Sequence, residues 1–288
     1  MFKNFISILI ILIHILAIIG IFIINDISIY TIIFQFIIFI LSAISITGGY
    51  HRLWTHNSYK ANTILEIFYL IFGTIASEGS VINWAKEHRT HHRNEEKQGD
   101  PYNISKGFFH AHIGWLLFPN DEIEKKELAK TDVSDLENNK LLLFQHNYYS
   151  IIWISLLILS FLIMIIWNES LINIIFSSII RMVIVLNVTW CINSVAHTIG
   201  EKSHNTNIKA SDNLILGILT MGEGWHNYHH SYPKDYRASE SDKINFTTNF
   251  IDFTKKCNLS YNHYYKDINN TIPNNERFNT DFYKILNN

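Results

Sequence analysis

The sequence predicts an all-α integral membrane protein: four transmembrane helices in two hairpins, with a cytosolic helical cap that holds a histidine-rich metal site. Three observations lead there. Hydrophobic residues are 48% of the 288-residue chain, and they are gathered into long blocks rather than spread evenly. The stretches between the blocks are densely polar. Those polar stretches also hold most of the 15 histidines. A membrane protein with a water-facing part has this layout.

Crossing a bilayer takes roughly 20 apolar residues as helix. Four blocks reach or approach that length: about Phe5 to Ile24, Ile27 to Ile46, Ile151 to Trp167 and Leu171 to Cys191. Only Asn25 and Asp26 separate the first two, and Asn168, Glu169 and Ser170 the second two, so each pair reads as a helical hairpin. The first block is expected to be an uncleaved span, because its apolar run is longer than a usual signal core and another spanning block follows at once. A fifth apolar stretch, Ile64 to Ile75, is too short to span, carries Glu66, and is expected to lie along the membrane surface. The whole chain, 1–288, is read as one domain, with cap segments at 48–150 and 192–268 and a loosely ordered, Asn-rich tail at 269–288.

The two short turns contain no Lys or Arg. The segments after Ile46 and Cys191 carry Arg52, Lys60, Lys86, Arg89, Arg93, Lys97, Lys202 and Lys209. By the positive-inside rule, those segments and both termini face the cytoplasm. A formal net charge of −2 gives no sign of a nucleic-acid partner. Cys191 and Cys257 form no disulfide framework and suit a reducing cytosol. Arg181 lies inside the fourth block, and an intramembrane charge marks a functional or structural site by default; a structural or gating role is expected.

Nine histidines fall into four tight groups on the cytoplasmic face: His51 and His56 in "HRLWTH", His88, His91 and His92 in "HRTHH", His197 in "NSVAH", and His226, His229 and His230 in "HNYHH". Helical residues at i, i+3 and i+4 share a face, so each triplet can converge on one side of its helix. Two such triplets facing each other would enclose metal. His51 and His56 are five apart, about 140° around a regular helix, and need local unwinding to chelate one ion. Gly48 and Gly49, just before them, permit that irregularity. For His197, spacing alone says little. The other six histidines, at 14, 110, 112, 146, 204 and 263, are scattered.

Imidazole suits zinc, copper, iron and nickel. Eight or nine ligands exceed the need of one ion, so two ions with four or five histidines each is the simplest allotment. A structural zinc site is usually closed, four-coordinate and often contains thiolate; here both cysteines lie outside the groups. Two iron ions doing oxygen chemistry at the membrane surface fit better, with two zinc ions left open by ligand type alone. Metal-bound histidines usually donate their other ring N–H to a partner, and Glu87, Asp100, Glu201 and Glu223 are candidates.

The order "HRLWTH", "EHRTHH", "NSVAH", "GEGWHNYHH" resembles the membrane acyl-CoA desaturases, the stearoyl-CoA (delta-9) type in particular. The likeness extends through "GGYHRLWTHNSYKA", "DPYNISKGFFHAHIGWLL", "RMVIVLNVTWCINSVAH" and "GEGWHNYHHSYPKDYRAS", and covers roughly Thr47 to Asp252. The resemblance implies a four-span enzyme whose cytosolic cap holds two ferrous ions. One iron would take His51, His56, His88, His92 and His229; the other would take His91, His197, His226 and His230, with Asn193 holding a water nearby. Trp84 and Trp190 would line a bent tunnel for the acyl chain, and Thr189 would help fix the bend. Lys86 and Glu87 stand where the relatives contact CoA with Arg and Asp. The implied reaction uses dioxygen, two electrons and two protons to place a cis double bond in a saturated acyl-CoA.

Some positions depart from the family. After "GWLL" the animal enzymes carry basic residues for the CoA phosphates, where this chain has Phe118, Pro119, Asn120 and Asp121; Gly79 replaces a polar Asn. CoA binding is thus less secure than the acyl-chain chemistry, which leaves a protein-carried or lipid-linked acyl group open. No haem-binding "HPGG" occurs, so electrons are expected from a separate cytochrome b5 or ferredoxin. A eukaryotic source would place the protein in the endoplasmic reticulum membrane. Phe39 and Ala43, a turn apart, are expected to floor the tunnel. The rivals are a hydroxylase or sphingolipid desaturase on the same histidine plan, a non-catalytic metal-binding membrane protein, and a di-zinc hydrolase.

Overall fold

The computed structural model describes residues 5–266; the tail expected at 269–288 lies outside them. Among the described residues the regular structure is helical apart from one two-residue antiparallel pair, β1 (Lys60–Ala61) with β2 (Ser260–Tyr261). The helices are α1 (Phe5–Ile23), α2 (Ile29–Ile44), α3 (Thr63–Ile75), α4 (Val81–Asn94), α5 (Trp115–Leu117), α6 (Glu122–Lys130), α7 (Ser134–Glu137) and α8 (Lys140–Asn147). They continue with α9 (Tyr149–Ile165), α10 (Leu171–Ser194), α11 (Leu214–Leu219), α12 (His226–Ser231) and α13 (Phe246–Lys256).

Among the described residues three helical runs are long and apolar enough to cross a membrane: Phe5–Ile23, Ile29–Thr55 and Leu171–His197. A fourth arises if α8 and α9, bent by 80° at Tyr148, count as one. The expected blocks at 5–24, 27–46, 151–167 and 171–191 therefore fall on helices α1, α2, α9 and α10, with ends displaced by a few residues. The stretch Ile64 to Ile75 forms α3, started by Asn62, whose side chain accepts from Leu65 N.

α1 and α2 both pack along α10. Gly20 allows the close approach of α1, since a Cβ there would lie 2.7 Å from a Phe176 ring carbon. Arg181 on α10 is 5% exposed and faces the bundle. Its Nε donates to Gln35 Oε1 at 3.0 Å, and Gln35 in turn donates to Ser178 Oγ at 2.9 Å and Ser177 Oγ at 3.1 Å. The guanidinium thus ties α10 to α2 rather than reaching for the membrane surface.

Candidate metal centre

The second long helix widens before it ends. Ser45–Thr55 is a π-helix, whose hydrogen bonds close five residues on instead of four. His56 N donates to His51 O at 3.1 Å, so residues five apart lie one above the other, and the two imidazoles come within 4.7 Å, centroid to centroid. The local unwinding expected after Gly48 and Gly49 is present as a π-helix, whose wider turn carries fewer degrees of rotation per residue. Tyr69 of α3 lies over both glycines; a Cβ on Gly49 would sit 2.7 Å from Tyr69 Cβ. Tyr59 Oη donates to Gly48 O at 2.8 Å and Thr55 Oγ1 to Tyr50 O at 2.7 Å, which satisfies carbonyls in the wide turn.

The two triplets are each split. From α4, His88 and His92 turn to one cluster and His91 to another; from α12, His229 joins the first cluster while His226 and His230 join the second. The first cluster is His51, His56, His88, His92 and His229; the second is His91, His197, His226 and His230. Within each, the ligand-type nitrogens all lie within 4.8 Å of one another. His197 reaches the second from a single 3-10 turn, Val195–His197, that ends α10.

In the first cluster, Nε2 atoms are 3.0 Å apart for His51 and His229, 3.1 Å for His229 and His92, 3.0 Å for His92 and His88, and 3.1 Å for His88 and His56. In the second, His197 and His226 are 3.1 Å apart, and His226 and His230 are 3.0 Å apart. Burial, and then crowding by neighbouring imidazoles, holds His88, His92, His226, His229 and His230 well below the usual imidazole range, so these rings are neutral. Burial also opposes charge on His91, but Asp100 outweighs it and raises that ring.

Three rings turn Nδ1 to a carboxylate. His91 Nδ1 hydrogen-bonds Asp100 Oδ1 at 2.8 Å; His51 Nδ1 is 3.0 Å from Glu223 and His230 Nδ1 is 3.0 Å from Glu95. The hydrogen bond at His91 puts the N–H on Nδ1 and the lone pair on Nε2, the tautomer that binds metal, and the carboxylates beside His51 and His230 favour the same form. The lone pairs then face each other. His91 Nε2 is buried with no hydrogen-bond partner at all. Two nitrogens bound side by side to one ion at about 2.1 Å stand about 3.0 Å apart, the spacing seen here. The donor set therefore fits cations and explains contacts that neutral nitrogens would otherwise resist.

A cavity of about 530 Å³ opens onto both clusters. Its wall includes His51 and His88 from the first, His226 from the second, and Asn193. Trp84, Thr189, Trp190, Phe39 and Ala43 line it as well, so the tunnel residues expected from sequence are brought together. Glu87 also lines the cavity, whereas Lys86, one residue earlier on α4, is not part of the wall.

The comparisons with known proteins agree with this architecture. The family model described as "Fatty acid desaturase" matches residues 27–238. The chain is 40% identical over 257 residues to "Stearoyl-CoA desaturase 2" of Rattus norvegicus, covering 87% of this chain and 71% of that protein. This chain belongs to the fatty acid desaturase family. It is also 40% identical over 258 residues to "Acyl-CoA desaturase 3" of Mus musculus, covering 88% and 72%, and 40% identical over 257 residues to "Stearoyl-CoA desaturase" of Homo sapiens, covering 87% and 71%. All nine clustered histidines lie inside the family match.

Of the four carboxylates proposed from sequence to orient the desaturase histidines, Asp100 and Glu223 do so. Glu201 is exposed, and its backbone pairs with Asp212. Glu87 faces the cavity. Glu95 was missed, although it follows His92 by three positions. Arg52 was missed too: it is 1% exposed, and its Nη2 is 2.7 Å from Glu223 Oε1. Burial works to raise the Glu223 carboxyl, but Arg52 and then His51 outweigh it and hold it at about 2. Arg52 also donates to the Tyr236 and Arg237 carbonyls, each at 3.1 Å, fastening the π-helix to the segment after α12.

Two of the scattered histidines also belong to the site. His14 Nδ1 donates to Ile10 O at 2.7 Å, leaving His14 Nε2 to accept from Asn187 Nδ2 at 2.9 Å. His112 Nε2 donates to Asn187 Oδ1 at 3.1 Å, and His112 Nδ1 accepts from Ser194 Oγ at 3.0 Å. The two rings bracket Trp190, His14 stacked at 5.9 Å and His112 edge-on at 6.0 Å. A histidine inside an apolar span was the available signal for His14.

Proposed function

We propose that this chain is an oxygen-dependent fatty acyl-CoA desaturase that places a cis double bond, of delta-9 type, in a saturated chain for unsaturated fatty acid synthesis. The carrying observation is one cavity, walled by apolar and aromatic residues, that ends on two all-imidazole clusters. The substrates are an acyl-CoA and dioxygen; with two electrons and two protons, the products are the monoenoyl-CoA and two waters.

His51, His56, His88, His92 and His229 would hold one ferrous ion, and His91, His197, His226 and His230 the other, with Asn193 positioning a water. When bound, the two irons supply the oxidising power toward an unactivated methylene that no side chain has. The chain's own residues do the rest. Trp84 and Trp190 confine a flexible chain so that one pair of methylenes lies beside the clusters, because near-attack geometry is what binding can impose. Asp100, Glu223 and Glu95 hold three rings in the metal-binding tautomer. Glu87 at the cavity wall and Lys86 beside it would meet the CoA. At Asp121 the lost basic residue has a local use: with Glu124 it forms a capping box that starts α6, and both carboxylates pair with Lys106.

Four spans, α1, α2, the bent α8–α9 pair and α10, would carry both termini and the catalytic cap on the cytoplasmic side. In a eukaryotic cell the endoplasmic reticulum is the expected membrane. A separate cytochrome b5 or ferredoxin would deliver the electrons. The test is expression in desaturase-deficient yeast, with fatty-acid profiling and a His229→Ala control. A new monoene that disappears in the variant supports the reading, and a hydroxylated chain made by the purified wild type would replace it with a hydroxylase.

A further inference from the structure

Glu78 stands in the short turn between α3 and α4, where Ser77 and Gly79 both have positive φ, at 69° and 88°. Its carboxyl is part of the cavity wall. Oε1 accepts from Thr189 Oγ1 of α10 at 2.7 Å, and Oε2 accepts from Trp84 Nε1 of α4 at 3.0 Å. One carboxyl thus bridges two cavity-lining residues carried by different helices.

Nothing cationic faces it from the surrounding protein. Among the described residues, the cavity wall contains no Lys or Arg. The nearby titratable groups are Tyr149 of α9, whose Oη accepts Gly79 N–H at 3.1 Å, and Tyr50 of the π-helix, whose Oη donates to Gly79 O at 3.5 Å. Glu87 and His88 of α4, His51 of the π-helix, Tyr102, Glu223 and His226 complete the ionisable lining among the described residues. A carboxylate held in an apolar wall without a counter-charge favours its neutral form.

We propose that acyl-chain binding in this cavity is coupled to protonation of Glu78: the neutral carboxyl bridges Trp84 and Thr189, and the ionised form opposes entry of the chain. This rests on reading the cavity as the acyl tunnel. The neutral acid keeps both contacts, because Oε2 still accepts the Trp84 N–H while Oε1–H donates to Thr189 Oγ1. An acyl chain filling the cavity removes the water that would solvate a carboxylate, so binding raises the affinity of Glu78 for its proton. Burial already pushes the group up to about 7, against the opposing hydrogen bonds of Thr189 and Trp84. Above that pH the chain enters only as a proton is taken up. With one proton linked, the dissociation constant weakens about 25-fold from pH 6.5 to 8.5.

The test uses the metal-loaded enzyme in lipid nanodiscs with stearoyl-CoA as probe. Titration calorimetry at pH 8 in buffers of different ionisation enthalpy counts the protons taken up, and binding is followed from pH 6.5 to 8.5. Wild type should take up about one proton per stearoyl-CoA and show the 25-fold weakening, while Glu78→Gln takes up about none and binds with nearly constant affinity. Equal proton uptake and parallel pH profiles in the two proteins overturn the coupling while leaving the acyl tunnel intact. Absence of stearoyl-CoA binding to wild type at any of these pH values overturns the tunnel reading and the coupling with it. If the Gln variant does not fold, Glu78→Asp tests the same point, since a shorter carboxyl that loses one bridge must shift the pH at which affinity falls; an unshifted profile is again a refutation.

Discussion

Asp100→Asn tests whether the buried carboxylates hold metal in place. Asp100 is 1% exposed and accepts three hydrogen bonds: His91 Nδ1 at 2.8 Å, Tyr102 N at 3.2 Å on the same oxygen, and Glu96 N at 3.1 Å on the other. An amide keeps one acceptor oxygen and presents N–H groups where the second stood, so either the ring or the loop loses a partner. A hydrogen bond to a charged group contributes about 1.5–3 kcal/mol. At 1.4 kcal/mol per decade that is about 10- to 100-fold in metal affinity, the usual size of such effects. The loss should fall on the second cluster, to which His91 belongs. Metal content after dialysis against a graded chelator series measures it, with Glu201→Gln, an exposed carboxylate, as control. Two equally retained metals in Asp100→Asn, or the same loss in Glu201→Gln, would refute the role assigned to Asp100.

Three further outcomes follow from the geometry. Asn187→Leu strands His14 and His112, costs about 1–3 kcal/mol in thermal stability, and frees Trp190, so product analysis should show a mixture of double-bond positions. Ala43→Leu adds three carbons to the cavity wall and should shorten the preferred acyl chain by about two carbons, because a packed wall does not absorb extra methylenes without strain; an unchanged chain-length profile removes Ala43 from the floor. Chelation returns the clustered imidazoles to one another's uncompensated lone pairs, several of them near 3.0 Å apart, so the melting temperature should fall and recover with ferrous iron. At a thousandfold excess of metal over its dissociation constant the stabilisation is about 4 kcal/mol, and a melting temperature indifferent to chelator would argue against a bound metal.

The sequence alone was sufficient for the all-helical plan, the positions of the apolar helices and the identity of the nine clustered histidines. Those features are local: an apolar run and an i, i+3, i+4 pattern are visible within a few turns of chain. How the histidines divide was implied by the family resemblance, but spacing along the chain did not contain it, and its physical basis is tertiary. Each triplet contributes to both clusters, His88 and His92 with His229 on one side and His91 with His226 and His230 on the other, and no spacing rule within one helix contains that division. The pairing of His51 with His56 needed the π-turn, which is held by Tyr69 and Tyr59 from outside the segment. Glu95, Arg52, Glu78 and the His14–Asn187–His112 bracket were likewise invisible, since each acts through a partner far along the chain. Burial is what gives these groups their chemistry: it keeps imidazoles neutral, makes Arg52 and Glu223 depend on each other, and leaves Glu78 poised near neutrality. Burial is a property of the packed molecule, which is why the residues could be read from the sequence but their states only from the fold.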